Sequence, residues 1–233
     1  HGDPIAGEFE PERTREFAVL LAYTKTTNIE LIEQSQLPDD PYLEPMLFEY
    51  FPTPLRDRFA TQIRRHRLRR EIIATQLGNQ LSNISGISFD HRVTEETGVG
   101  VVEVARARVV ARDVFDAPMW WRRIDDLGSE VRLDVQIELF LEMRRMLERG
   151  VSWVLRHRRP PVDIAALVAQ LRAPIARLGT GLDDVLYGRM RDQTFALAAG
   201  RLAAGVPEQL AQASAQWALL HTGLDQVELA QQI

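Results

Sequence analysis

Residues 60–83, ATQIRRHRLRREIIATQLGNQLSN, place apolar side chains at steps of three and four. With Phe59 just ahead, the positions Ile63, His66, Arg70, Ile73, Leu77 and Leu81 share one side of a helix of about 3.6 residues per turn. The whole stretch is therefore expected to be one long helix. The same period returns in Leu133, Ile137, Phe140, Leu141, Leu147, Val151 and Val154. It predicts a second long helix from Val131 to about Arg158. The period-two alternation of a half-buried strand is almost absent. The expected fold is an all-α, multi-helix bundle with two long helices, at least eight helices in all, and no sheet.

Proline, glycine and aspartate punctuate the rest. A first helix opens near Pro11, is expected to break near Thr26–Asn28, and ends before Leu37-Pro38. Asp40 is a good N-cap because Pro41 follows at a position whose missing N–H costs nothing. Phe51-Pro52-Thr53-Pro54 breaks the next short helix, and Gly86 is expected to stop the 60–83 helix. Ser88 is expected to cap a short helix that ends at Gly98. Gly100 and Glu103 form a weakened capping box, and Asp116 and Asp163 are further expected caps. Pro174 should kink or split its helix, and Gly179-Thr180-Gly181 should be a turn. Arg158–Pro161 ends the second long helix, so the domain, taken as residues 1–233, has an expected subdomain boundary near 158–163. The final DQVELAQQI is expected to be helical and to stop without a cap, as a cut end would.

Composition closes several routes to function. The chain has 233 residues, 45% of them hydrophobic, and no cysteine. Disulfides, thiolate nucleophiles and Cys-type zinc sites are excluded. Lys25 is the only lysine among 28 basic residues, so a site needing an amine of adjustable pKa has a single candidate. The formal net charge of −5 argues against general nucleic-acid binding. No apolar run approaches the roughly 20 residues of a membrane span.

The densest charge cluster is Arg64, Arg65, Arg67, Arg69 and Arg70, with His66 among them. A helix spreads these around its circumference, so some must face inward or toward a neighbour. We expect Arg67, Arg70 and Glu71 to form an inward or interdomain charge network beside Ile63, Ile73 and Leu77. GVGVVE at 98–103 superficially has the glycine spacing of a dinucleotide loop. Glu103 replaces its third glycine, and the segment before it reads as helix rather than strand. A helix stop followed by a helix start explains it better. His91 and Glu95 stand four apart, but no third ligand is near, so no metal site is expected. Asp39-Asp40, Asp125-Asp126 and Asp183-Asp184 sit beside turns or expected helix starts, as caps and dipole partners do. Trp120 and Trp121 point about 100° apart on a helix, so one is expected in the core and the other at an edge.

Five segments, in chain order, carry a resemblance: FAVLLAYTK at 17–25, LPDDP at 37–41, HRLRREIIATQ at 66–76, EETG at 95–98 and RRPPVDIA at 158–165. Together they resemble the C-terminal helical region of the large, actinobacterial-type NAD-specific glutamate dehydrogenases. The resemblance runs over essentially the whole chain. It implies a non-catalytic structural or regulatory part of a longer polypeptide, whose full-length form oxidatively deaminates L-glutamate to 2-oxoglutarate and ammonia. By the same resemblance, NAD, the catalytic lysines and the catalytic aspartate belong to a catalytic domain that precedes this region. Lys25 lies in a helical-region segment and matches none of those lysines. No catalytic or cofactor-binding residue is carried over, and this chain alone is expected to be inactive. The implied partners are that catalytic domain and further copies in a homo-oligomer; the charge and the lack of a long apolar run speak for neither nucleic acid nor membrane, and the lack of cysteine fits a cytoplasmic protein. Two other readings are a stand-alone helical protein-interaction scaffold and an Arg-rich nucleic-acid-binding helical module.

Overall fold

The computed structural model describes residues 11–82 and 87–230. They form thirteen α-helices and two short 3-10 turns, with no strand among the described residues. The chain folds as two compact units that divide between Arg92 and Val93.

The first unit holds α1 (Pro11–Gln34), α2 (Glu44–Glu49), α3 (Thr53–Arg58), α4 (Ala60–Arg64) and α5 (Arg69–Gln80). α1 runs unbroken through Thr26–Asn28, contrary to the expected break. Thr26 Oγ1 donates to the Ala22 carbonyl one turn back at 2.9 Å, so its hydroxyl is satisfied inside the helix. The C-terminal half of α1 packs on α5. Ile32 is buried there, as are Ile72, Ile73, Ala74 and Leu77 of α5. Gly78 lets the two backbones approach, since a Cβ at this position would lie 2.3 Å from Ile29 Cγ1. Asp40 caps as expected, its Oδ1 accepting from the Tyr42 N–H at 3.0 Å.

The expected long helix over 60–83 is instead two helices. α4 stops at Arg64 and α5 starts at Arg69, with Arg65 and Leu68 near φ −100° and ψ +20°. Continuous helix would set Arg64 over Arg67 and Arg65 over Arg69, like charges on adjacent turns. The break instead lets Arg64 meet Glu44 at 2.8 Å. His66 secures the turn by accepting the Leu68 N–H on Nδ1 at 3.2 Å. The expected stop at Gly86 lies outside the described residues.

The division between the units falls within α6 (Ile87–Thr97). Ser88 is inside that helix rather than ahead of it. Gly98 follows with φ +71°, and its N–H donates to the Thr94 carbonyl at 2.8 Å. That is the left-handed stop glycine supplies without strain.

The second unit contains α7 (Val101–Val114), α8 (Ala117–Asp125), α9 (Leu133–His157), α10 (Ile164–Val185), α11 (Gly188–Ala203), α12 (Glu208–Leu220) and α13 (Gly223–Ala230). α7 is its centre. Val104, Ala105, Ala107, Val109, Val110, Ala111 and Val114 are all buried, so the helix is covered on most of its circumference. α9 crosses it where Gly150 has no side chain, because a Cβ there would meet Phe115 Cε2 at 2.6 Å.

The second long helix stands where expected, but its stripe shifts. Leu133, Ile137 and Leu141 are 69%, 49% and 42% exposed. The buried series is Leu139, Met143, Met146, Leu147, Val151 and Val154. α10 is a further correction: it continues through Pro174 and through Gly179-Thr180-Gly181 as one helix of 22 residues. Thr180 Oγ1 donates to the Arg177 carbonyl at 2.9 Å, again keeping a threonine inside its own helix. Asp163 caps α10 as expected, accepting the Ala166 N–H at 2.9 Å.

Candidate functional site

The arginine cluster resolves into anchors around one turn. Arg70 binds the Asp39 carboxylate and donates to the carbonyls of Glu33 at 2.6 Å and Ser35 at 2.8 Å. Those carbonyls flank the end of α1, where helical C=O groups lack partners and the dipole favours a cation. Arg69 shares the same carboxylate at 3.5 Å. Asp39 is thus an ion-pair partner and Asp40 a cap. Of the expected network, Arg70 is anchored and partly buried, Glu71 is partly buried on α5, and Arg67 stands exposed on the turn.

GVGVVE performs structural work. Gly98 ends α6, and Gly100 precedes α7 in an extended conformation. Glu103 does not close a capping box. Its Oε2 accepts the Val162 N–H at 3.0 Å, and its Oε1 lies 3.4 Å from Arg106 Nε. Residues 158–163, expected as a subdomain boundary, link α9 to α10 inside the second unit. Arg158 there forms a bidentate pair with Glu228 of α13.

Asp116 stands ahead of α8 at φ +51° and ψ +38°, without a side-chain cap bond. Its carboxylate turns instead to Arg172 at 3.3 Å. Trp120 and Trp121 are both half-buried, so neither is the core plug expected from their angular separation. The most enclosed indole is Trp217, edge-on to Trp120 at 5.9 Å between ring centroids, and Trp153 is buried as well. His91 and Glu95 are both exposed on α6, and no group of three or more metal-ligating side chains occurs among the described residues.

Two features escaped the sequence reading. One is Arg201 of α11, buried, with its guanidinium on Glu142 of α9 and on Ser214 Oγ of α12 at 2.7 Å. Its signal was present: Arg201 is the only charged residue between Asp192 and Glu208, in a run of alanines and glycines. The other is a cavity of about 430 Å³ within the second unit, walled by α7, α8, α10 and α12. Its side chains come from four segments spread over a hundred residues, so no local pattern announces it. No helix among the described residues is long and apolar enough to cross a membrane.

The NAD-specific glutamate dehydrogenase of Pseudomonas aeruginosa is 40% identical over 213 residues, covering 91% of this chain and 13% of that one. That of Halomonas elongata is 34% identical over 217 residues, 93% of this chain and 13% of the relative. That of Mycobacterium tuberculosis is 34% identical over 196 residues, 84% and 12% respectively. The chain thus spans only 12–13% of the length of these curated relatives. Residues 13–233 match the family described as glutamate dehydrogenase, C-terminal, and the chain belongs to that family.

Proposed function

We propose that this chain is the non-catalytic helical part of a large NAD-specific glutamate dehydrogenase. In this reading the full-length protein oxidatively deaminates L-glutamate to 2-oxoglutarate and ammonia, with NAD as hydride acceptor. The active site lies elsewhere in the same polypeptide, which works as a cytoplasmic homo-oligomer. The observation that carries the reading is the family match over residues 13–233, together with the similarity to NAD-specific glutamate dehydrogenases far longer than this chain.

Two physical points support it. A nicotinamide site is built on a strand–turn–helix unit whose glycines admit the pyrophosphate. Here the glycine pair at 98 and 100 separates two helices, and Glu103 holds a backbone N–H. The second point is α1, whose N-terminal half exposes Val19, Leu20, Leu21 and Tyr23. These four positions span about 200° of the helix circumference, and so much open apolar surface marks an interaction site. The catalytic part of the polypeptide is the proposed occupant. Arg67, exposed on the turn, is proposed to join the interdomain charge network there, with Arg70 and Glu71 behind it.

The test is an NADH absorbance assay with L-glutamate on the full-length protein and on these 233 residues alone, beside calorimetric titration of the short chain with NAD. Turnover should belong to the full-length protein only. Micromolar NAD binding or turnover by the short chain would overturn the assignment.

A further inference from the structure

The cavity walled by α7, α8, α10 and α12 has the volume of a small-molecule site. Phe115, Met119, Trp120 and Ile175 supply apolar and aromatic wall, and the two charged residues among its lining, Asp116 and Asp183, are both acidic. Their situations differ. Asp116 has a cation, Arg172, at 3.3 Å. Asp183 accepts a hydrogen bond from Gln216 Nε2 at 2.8 Å, a neutral donor that leaves its negative charge uncompensated. Asp183 and Gln212 also line a neighbouring cavity of about 160 Å³, whose wall includes Phe195 and Leu202. The carboxylate thus stands where two partly apolar cavities meet.

We propose that this site binds an organic cation: a protonated amine, amidine or guanidine on a flat or aliphatic body. The charged head would meet Asp183, where a charge-assisted hydrogen bond is stronger than one between neutral groups. The body would lie against Phe115, Met119 and Ile175, because the Trp120 ring already carries the Arg123 guanidinium at 5.1 Å. An anion would face two carboxylates, and a neutral molecule would leave Asp183 without a counter-charge. The proposal does not depend on the enzymatic reading above.

The test uses the 233-residue chain and three probes of matched shape: benzamidine (cationic), benzamide (neutral) and benzoate (anionic). Calorimetry and tryptophan fluorescence read binding. Benzamidine should saturate at one site and bind about tenfold or more tighter than benzamide, the order of one charge-assisted hydrogen bond. Benzoate should bind more weakly than either. Asp183→Asn should bring the benzamidine-to-benzamide ratio close to one. Should that variant fail to fold, salt decides on the unchanged protein: benzamidine binding should weaken as ionic strength rises while benzamide binding stays level. Equal affinity for benzamidine and benzamide, no saturable benzamidine binding, or a preference that survives Asp183→Asn or ignores salt would each overturn the proposal.

Discussion

Arg70 in the first unit and Arg201 in the second each bind one carboxylate and additional neutral oxygens. Arg70 grips Asp39 and two backbone carbonyls with its side chain 36% exposed. Arg201 grips Glu142 and the Ser214 hydroxyl at 5% exposure. Water can replace most of what Arg70 provides, because Asp39 is 46% exposed and stays hydrated without it. Removing Arg201 leaves Glu142 and Ser214 facing an apolar gap among α9, α11 and α12. The comparison teaches that burial, more than the number of hydrogen bonds, decides what an arginine contributes to stability.

The largest expected effect is therefore at Arg201. Arg201→Ala should destabilise the second unit by about 3 kcal/mol, the lower part of the range for breaking a buried pair, because Glu142 keeps some exposure. Arg201→Met should cost less, since the stem still fills the space. All four tryptophans lie in the second unit, so fluorescence-detected thermal melting reads it directly. Arg70→Ala should cost only about 1 kcal/mol, read by far-UV circular dichroism because the first unit has no tryptophan. If Arg70→Ala lowers the melting temperature more than Arg201→Ala, the comparison fails.

The smallest expected effect sharpens it with a cation that burial discourages. Burial of the His221 ring, helped by the nearby Arg149 guanidinium, pushes its pKa below the ordinary value. Above about pH 6.5 the folded and unfolded rings are both neutral, and the contribution of His221 is complete. As pH falls below that value, the unfolded chain takes up a proton that the folded chain does not. Stability should then decline until the folded ring also titrates. His221→Gln should flatten the pH dependence of fluorescence-detected melting between about pH 7 and pH 5. An unchanged slope in that variant would place the acid sensitivity at other groups.

The contrast between local and distributed information also separates what the sequence made legible from what it hid. Helix class, the caps at Asp40 and Asp163 and the stop at Gly98 were readable, because each depends on a few adjacent residues. The break at 65–68 was not, because helical period alone ignores repulsion between arginines one turn apart. Nor was the continuity of α10, because Pro174 and Gly179 weaken a helix locally while Leu171, Ile175 and Leu182 are held by the core. The α9 stripe went wrong at Leu133, Ile137 and Leu141 because period cannot say which of two apolar faces meets the core. The cavity needed α8, α10 and α12 placed together before Asp183 could be distinguished from any other helix acid.

Lys25 acquires a different importance from its place on α1. As the only lysine of the chain, it is the sole ε-amine that an acylating dye or an amine cross-linker can find within these 233 residues. It stands partly exposed, two residues beyond Tyr23 and the open apolar half of α1. An amine reagent therefore places its one side-chain label next to the surface where a covering segment would arrive, and peptide mapping separates it from any label on the α-amine. Shielding of that amine on assembly would register as lost labelling, without any engineered attachment point.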